Sequence, residues 1–242
     1  MDGGVETRMA LIYPIAEYFE SIQGEGPYTG ALMLFIRLAG CNVGRYQDPQ
    51  FESELKLFPR HSVCQSALGA KFLCDTDYHF AERLDLEPLI RRTNARHVCL
   101  TGGEPFLHDL LPIVKRVVDL GKVPHIETSG TLPIPDGVFR HAFIVCSPKV
   151  GFLPENRGKI HHYKFVLSRE DLADEPSQVW QRLLSVMGED EALWTTVSLQ
   201  PVNGLHSLDK DLAIRIMNVL HAAPDWVDPS LSFQIHKVLG LR

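Results

Sequence analysis

Short apolar runs alternate with stretches of helical periodicity along most of the chain. Runs rich in β-branched and aromatic residues predict strands over 14–19, 32–38, 98–100, 125–127, 143–146, 163–167, 195–199 and 231–235. Apolar residues at helical spacing predict one helix over 107–118, closed by Gly121, and another over 208–220 with Ser207 as its N-cap. Strands and helices in succession predict an α/β fold with a parallel sheet, either open or curled into a barrel.

Polar motifs follow the predicted strands one after another. The segment Thr-Gly-Gly-Glu-Pro occupies 101–105, and further motifs lie at 127–130, 147–149 and 200–202. Ligand-binding groups of parallel βα folds lie at the C-terminal ends of strands, so this order predicts one binding site along one edge. Paired glycines let a backbone approach a ligand closely, and the following Glu104 is an acceptor for an ammonium group. Taken singly, Glu127 is equally compatible with a helix-capping acid, Lys149 with a surface charge and Gln200 with a turn.

Composition narrows the class of protein. At 242 residues with 45% apolar content, the chain is expected to form one domain over 1–242. The net charge of −6, without a Lys/Arg block, argues against nucleic acid and anionic membranes as partners. No apolar run approaches the roughly 20 residues of a membrane helix, and Asp2 and Glu6 stand where a signal peptide is basic. We therefore expect a cytoplasmic protein that binds a small molecule.

The five cysteines fall into two groups. Cys99 and Cys146 lie in apolar strand runs, where cysteine is usually a small buried hydrophobe. Cys41, Cys64 and Cys74 lie in or beside an irregular, charged segment at 43–73, where their thiolates are able to converge. An iron–sulfur cluster held by three cysteines presents one iron to an outside ligand, such as the amine and carboxylate of an amino acid.

Four further strings complete a resemblance that runs almost end to end. They are Phe19 to Gly26 (FESIQGEG), Phe35 to Asn42 (FIRLAGCN), Cys74 to Asp77 (CDTD) and Gln234 to Lys237 (QIHK). With the Gly-Gly-Glu-Pro turn, they resemble the 7-carboxy-7-deazaguanine synthase family of radical S-adenosylmethionine (SAM) enzymes. The resemblance implies a partial (β/α)6-type barrel, with residues 43–73 as an insertion in the cluster-binding loop. It implies conversion of 6-carboxy-5,6,7,8-tetrahydropterin to 7-carboxy-7-deazaguanine with loss of ammonia, in queuosine and 7-deazapurine biosynthesis, with SAM used catalytically.

The resemblance also implies the residues of the site. Cys41, Cys64 and Cys74 are expected to hold a [4Fe–4S] cluster, and Thr76 to bind Mg²⁺. The residues implied to bind SAM are Leu73, Asp75, Gly102, Gly103, Glu104, Glu127, Ser147, Pro148, Lys149, Gln200, Pro201, Val202 and Asn203. Those implied to bind the pterin are Ile22, Gln23, Gly24, Glu25, Arg37, Thr101, His236 and Arg242. A homodimer and an external electron donor of the flavodoxin or ferredoxin type are also implied.

The cysteine spacing departs from this family. Most members have Cys-x3-Cys-x2-Cys, whereas here 22 residues separate Cys41 from Cys64 and nine separate Cys64 from Cys74. Lys71 stands where the middle cysteine is expected, and His61 is the next candidate ligand if Cys64 is not one. Each doubling of loop length costs only about 0.6 kcal/mol in closure entropy, so Cys64 is able to reach the cluster. Two alternatives stay open: a radical SAM enzyme acting on another heterocycle, and a SAM- or pterin-binding protein without a cluster.

The segment 43–73 also carries a structural prediction. Its apolar positions 51, 55 and 58 lie between Pro49 and Pro59 and predict one short amphipathic helix packed over the cluster. Our hypothesis is that the segment shields the cluster and forms a docking surface for the electron donor. The alternative for this segment is a passive surface insertion. For Thr76, the alternative to Mg²⁺ binding is a role as a helix N-cap.

Overall fold

The computed structural model describes residues 10–204 and 207–241, which contain eleven strands and eight α-helices. The strands are β1 Ile12–Ile22, β2 Leu32–Leu38, β3 Val63–Gln65, β4 Lys71–Leu73, β5 Glu82–Asp85, β6 His97–Gly102, β7 Val123–Thr128, β8 Phe143–Cys146, β9 His162–Leu167, β10 Thr196–Pro201 and β11 Pro229–Leu231. The helices are α1 Glu52–Leu57, α2 Glu87–Arg92, α3 Leu111–Asp119, α4 Asp136–Phe139, α5 Pro176–Met187, α6 Glu189–Ala192, α7 Lys210–His221 and α8 Ile235–Val238.

Nine strands form one sheet, an open partial barrel, in the order β11-β10-β9-β8-β7-β6-β2-β1-β5. Every neighbouring pair from β2 to β11 is parallel, whereas β1 runs antiparallel to both β2 and β5. The connections between parallel strands carry the helices, which is the arrangement that alternating strand and helix patterns predict. The prediction of an α/β fold with a parallel sheet is therefore confirmed.

Two apolar clusters hold the helices against the sheet. One joins α2 and α3 to β2, β6 and β7, and the other joins α5 and α7 to β8, β9 and β10. Trp180 of α5 is 1% exposed, and its indole Nε1 donates to the carbonyl of Val219 in α7 at 2.6 Å. Cys99 and Cys146 are fully buried in their strands, as predicted from their apolar surroundings. Among the described residues, no helix has the length and apolar character needed to cross a bilayer.

Three sequence predictions for local structure differ from the fold. The predicted strand over 231–235 is wrong, because β11 ends at Leu231 and α8 begins at Ile235. The predicted helix over 107–118 begins only at Leu111, since residues 105–107 form a separate 3-10 turn. The N-cap of α7 is Asp209, not Ser207: the Asp209 carboxylate accepts from the backbone N of Leu212 at 2.9 Å.

The insertion at 43–73 folds as a short helix followed by a hairpin. A 3-10 turn over Pro49–Phe51 leads into α1, and β3 then pairs antiparallel with β4. The helix predicted between the two prolines is present, but α1 buries none of its residues, and Leu57 is 75% exposed. A helix of six residues has too little apolar surface to pack stably against the rest of the domain. The β3–β4 hairpin packs there instead.

Candidate active site

A cavity of about 220 Å³ lies at the C-terminal ends of the parallel strands. Side chains from β1, β2, β6, β7, β8, β9 and β10 line it, together with the β3–β4 hairpin and α8. The predicted site residues that face it are Cys41, Cys64, Leu73, Cys74, Asp75, Thr76, Gly102, Gly103, Glu127, Ser147, Lys149, Gln200, Pro201, Val202, Asn203, Ile22, Gln23, Glu25, Arg37, Thr101 and His236. The structure thus brings most of the predicted residues to one edge of the sheet.

Three predicted residues are placed elsewhere, and the position of a fourth is not described. Glu104, Pro148 and Gly24 do not line the cavity, and Arg242 lies outside the described residues. Gly24 supports the cavity from behind, since a Cβ there would lie 2.2 Å from Nδ1 of His236. The backbone of Ile235 donates to the carbonyl of Gly24 at 3.2 Å, so the C-terminal helix packs directly on this glycine.

Cys41, Cys64 and Cys74 face the cavity from three different segments: the loop after β2, strand β3 and the residue after β4. A hydrogen bond from Cys74 lowers the pKa of Cys64 against the opposing effect of burial, and the ammonium group of Lys149 lowers that pKa further. His61 does not line the cavity, and its Nδ1 lies 2.9 Å from the carbonyl oxygen of Cys74. All five cysteines are free thiols.

The three thiols are the kind of ligand that holds an iron–sulfur cluster. Among residues 10–204 and 207–241, no group of three or more His, Cys, Asp or Glu side chains is arranged to hold a metal ion. A [4Fe–4S] cluster takes one thiolate on each iron that the protein ligates, so its ligands stand apart around it. Three thiols distributed around one cavity, with no fourth cysteine beside them, fit a [4Fe–4S] cluster with one iron left open.

The paired glycines fix the loop that carries Cys41. Gly102 has a φ of +111°, and a Cβ there would lie 2.4 Å from the Leu38 carbonyl oxygen. A Cβ on Gly103 would lie 1.8 Å from the Gly40 carbonyl oxygen, and the backbone N of Glu104 donates to that same oxygen at 2.9 Å. Only glycine permits so close an approach, so the turn after β6 and the Cys41 loop form one packed unit.

The Glu104 carboxylate points away from the cavity. It is fully buried and accepts from Thr128 Oγ1 at 2.8 Å, from the backbone N and hydroxyl of Ser129, and from the backbone N of Phe106 at 3.1 Å. A carboxylate with this many donors has no free oxygen for an ammonium ligand. The side chain therefore fixes the loop after β7, and the backbone of the Gly-Gly turn is what this segment offers to a ligand.

Glu127 joins the predicted SAM and pterin residues. Its Oε1 accepts from the amide of Gln23 at 3.1 Å, and its Oε2 accepts from the hydroxyl of Thr101 at 3.0 Å. Strands β6 and β7 and the residue after β1 thereby contribute to one polar network on the cavity wall. An acceptor carboxylate beside an amide matches the donors and acceptors on the edge of a pterin ring.

Lys164 and Glu25 form an ion pair on the wall of the cavity, with side chains 8% and 11% exposed. Burial alone would raise the pKa of the Glu25 carboxyl, but the Lys164 ammonium outweighs burial and lowers it. Gln200 donates to the second Glu25 oxygen at 3.3 Å. Sequence reasoning missed Lys164, although a lysine inside the apolar run at 163–167 was a usable signal, because lysine is almost never buried without a partner.

Arg37 lies in β2 with its guanidinium over the ring of Phe19, 5.1 Å from the centroid. Its Nη1 donates to Glu17 at 3.2 Å, and Phe19 stacks on Phe35 with centroids 5.3 Å apart. Stacking holds the planar guanidinium in place, so its remaining donors present a fixed fork to an anionic group in the cavity. The two rings supply an apolar wall beside it.

Asp75 links the cysteine hairpin to the C-terminal helix. Its Oδ2 accepts from Gln234 at 2.9 Å and from Lys237 at 2.8 Å. Burial raises the pKa of Asp75, but the charge and hydrogen bond of Lys237, with the Gln234 amide and the Arg37 charge, together lower that pKa well below its usual range. The neighbouring Thr76 hydroxyl lies 3.4 Å from Oδ1 of Asp75 and faces the cavity. No helix follows Thr76, so its alternative interpretation as an N-cap is wrong.

The last wall carries Ser147 and Lys149. Nζ of Lys149 donates to the carbonyl and the hydroxyl of Ser147 at 2.9 and 2.8 Å and lies 5.7 Å from the centre of the Phe72 ring. Burial lowers the pKa of Lys149, while the thiolate of Cys64 counteracts that change. The ammonium group thus lies between the cysteine hairpin and β8, where it favours negative charge in the cavity.

Comparisons with known proteins agree with this geometry. No family model matches the sequence. The chain is 34% identical to the 7-carboxy-7-deazaguanine synthase of Escherichia coli K12 over 239 residues, which cover 95% of this chain and 99% of the relative. It is 31% identical to the enzyme of the same name from Buchnera aphidicola over 236 residues, covering 96% and 100%. The crystal structure of QueE from Escherichia coli matches with a TM-score of 0.64 and 26% identity, over 91% of this chain and 93% of that one. The chain belongs to the 7-carboxy-7-deazaguanine synthase family of radical SAM enzymes.

Proposed function

We propose that the cavity converts 6-carboxy-5,6,7,8-tetrahydropterin to 7-carboxy-7-deazaguanine, with loss of ammonia and catalytic use of SAM. The observation that carries this proposal is the meeting of three separated cysteines with a cation and a carboxylate network in one cavity, in a chain of this family. One domain supplies every element of the site. Because Cys41, Cys64 and Cys74 all line this cavity, we favour a cluster-containing enzyme over a binding protein without a cluster.

The cofactors are assigned to the cysteine side of the cavity. Cys41, Cys64 and Cys74 hold the [4Fe–4S] cluster, and SAM lies between the Gly102-Gly103 turn and the wall formed by Ser147, Lys149 and Gln200. When bound, the cluster and SAM supply a primary alkyl radical that abstracts a hydrogen atom from the substrate. The Lys149 ammonium favours the negative charge that thiolates and a SAM carboxylate bring to this wall.

The substrate is assigned to the opposite side. Arg37 binds the substrate carboxylate, because Phe19 holds its fork in one orientation. Glu127 and Gln23 orient the pterin edge, with Thr101 fixing the second oxygen of Glu127. Phe35 and Val145 exclude water and polar hydrogen donors from the space between the ligands.

Mg²⁺ completes the proposal. Thr76 offers a hydroxyl at the cavity wall, and hard oxygen ligands are those that Mg²⁺ prefers. Because Oδ2 of Asp75 is occupied by Gln234 and Lys237, the metal site depends on the Thr76 hydroxyl and on oxygens of the substrate. A homodimer, a cytoplasmic location and a flavodoxin- or ferredoxin-type electron donor belong to the same proposal.

The decisive experiment is an anaerobic turnover assay of the reconstituted protein with 6-carboxy-tetrahydropterin, SAM, Mg²⁺ and a reductant. We expect the carboxy-deazaguanine product by mass spectrometry, with product exceeding SAM consumed. SAM cleavage without this product would favour a different heterocycle as substrate. A protein that binds no iron or sulfide after reconstitution would exclude the radical mechanism altogether.

A further inference from the structure

A buried carboxylate outside the cavity holds the cysteine hairpin. Asp171 lies after β9 and is 1% exposed. Its Oδ1 accepts from the Ser66 hydroxyl at 2.7 Å and from the backbone N of Ala70 at 3.3 Å. Its Oδ2 accepts from the backbone N of Ser168 at 2.9 Å. One carboxylate thus joins both ends of the turn between β3 and β4 to the end of a barrel strand, through charge-assisted hydrogen bonds.

Other contacts dock the same turn. Arg182 of α5 donates to the carbonyl of Leu68 at 2.6 Å. Leu68 packs against the apolar cluster beneath α5, and Ser66 forms an isolated antiparallel bridge with Lys149. The helix α1, in contrast, buries none of its residues. The hairpin turn, and not the helix, is therefore the part of the insertion that is fixed to the barrel.

This anchor lies two residues from a proposed cluster ligand. Ser66 follows the last residue of β3, two positions after Cys64, and its bridge to Lys149 keeps the backbone extended there. Alternate residues of an extended chain point to the same face. Both side chains are buried, Cys64 at 5% and Ser66 at 0% exposed. Fixing the Ser66 hydroxyl on Asp171 therefore fixes the direction in which the Cys64 thiol points.

We infer that Asp171 is a positioning residue for Cys64: it aims the thiol of a cysteine carried by an insertion into a site built by the barrel. This inference rests on the proposed ligation of the cluster by Cys64. Removing the carboxylate leaves the Ser66 hydroxyl and two backbone N–H groups without their buried acceptor. We then expect the hairpin to open more often. Each opening moves the Cys64 thiol away from the cluster, so the cluster is lost faster.

The test compares Asp171→Ala and Ser66→Ala with a matched control, Asp119→Asn, at an exposed position in α3 on the other side of the barrel. Each reconstituted full-length protein is mixed with an iron chelator, and the rate of iron release is followed. We expect release about tenfold faster for Asp171→Ala and about threefold faster for Ser66→Ala, with wild-type release for the control. Asp171→Asn keeps one acceptor oxygen and should restore most of the wild-type rate.

A second measurement does not require the cluster. In the cluster-free full-length chain, alkylation of Cys64 is followed by peptide mass spectrometry, with Cys41 of the same chain as an internal control. Alkylation of Cys64 should be about tenfold faster in Asp171→Ala, and that of Cys41 should be unchanged. Because Ser66→Ala removes only one hydroxyl, it tests the inference even if Asp171→Ala does not fold.

The outcomes separate this inference from the proposed function. If Asp171→Ala and Ser66→Ala match wild type in iron release and in Cys64 alkylation, the inference is overturned. If Cys64→Ala retains a full cluster, the proposed ligand set fails instead. Loss of the cluster in Cys64→Ala, together with unchanged rates in the Asp171 and Ser66 variants, would overturn the positioning role alone.

Discussion

Replacing Lys164 by Met tests how much the ion pair between Lys164 and Glu25 stabilises the fold. The substitution removes the cation that faces Glu25 and keeps similar volume, so the carboxylate stays buried without its partner. Breaking one side of a buried pair costs about 3–5 kcal/mol in the free energy of unfolding. For a chain of this size, each kcal/mol shifts Tm by roughly 2–4 °C, so a decrease of about 6–20 °C is expected.

The matched control is Lys56→Met, which breaks the exposed Lys56–Glu52 pair on α1. A helical surface pair of this kind contributes about 0.3–0.5 kcal/mol. Both variants are unfolded in urea as cluster-free proteins under reducing conditions. A Lys164 variant that loses no more stability than the Lys56 variant would refute the claim that the buried pair stabilises the fold.

The contribution of this ion pair to the free energy of unfolding depends on pH, and the two pKa shifts fix the direction of that dependence. The pKa of Glu25 is lowered in the wild-type fold, so its contribution is present above its unfolded pKa of about 4.3 and is lost as pH falls through the folded value. The pKa of Lys164 is raised, so its contribution is complete below the unfolded value of about 10.4 and is lost above the folded one. The stability difference between wild type and Lys164→Met should therefore be largest at pH 6–9 (roughly the span between these pKa values) and should shrink in acid.

A double variant measures the interaction energy between Lys164 and Glu25. Glu25→Gln in the Lys164→Met background removes the unpaired charge while keeping an acceptor for Gln200. We expect it to recover about 2–3 kcal/mol relative to Lys164→Met alone, which is the upper range for directly coupled residues. Simple additivity of the two substitutions would mean that the charges do not interact.

Four further predictions concern the site. Cys64→Ala should abolish cluster assembly, whereas Cys99→Ser should spare it; iron and sulfide analysis decides, and a full cluster in Cys64→Ala would contradict the ligand assignment. Thr76→Ala should lower turnover far more than iron content, measured across a Mg²⁺ titration; a wild type indifferent to Mg²⁺ would rule out the ligand role. Gly103→Ala places a Cβ within 1.8 Å of the Gly40 carbonyl oxygen, so it should displace the Cys41 loop and reduce iron content; a normal cluster would show that the loop adapts. Replacing 46–60 by a short loop should slow reduction by a protein donor more than reduction by dithionite; equal slowing would leave donor docking on the insertion without support.

Seven strands of the sheet, and the edge at which most predicted site residues meet, were predictable because both depend on local patterns. Apolar runs such as 32–38 and 143–146 became strands with those same limits. Contacts between distant residues were not predictable. Lys164 meets Glu25 across 139 positions of sequence, and no local pattern indicates which partner a buried lysine finds. Glu104 follows the same rule: its sequence context suggested a ligand contact, but three of its four donors belong to Thr128 and Ser129, which only the fold brings beside it.

The cysteine spacing shows why distance along the chain is a poor guide to this site. Arg45 and Val63 form an antiparallel bridge, with backbone hydrogen bonds of 3.0 and 2.8 Å, so the excursion over 46–62 begins and ends at one point. The backbone N of Cys74 donates to the carbonyl of Ser62 at 2.7 Å, so the hairpin returns Cys74 to the start of β3. A closed excursion changes the number of residues between ligands without changing where its ends lie, and its entropic cost grows only with the logarithm of its length. The geometry of the three thiols therefore depends on the bridge and the hairpin, and a search for a fixed spacing would miss a site that the fold assembles.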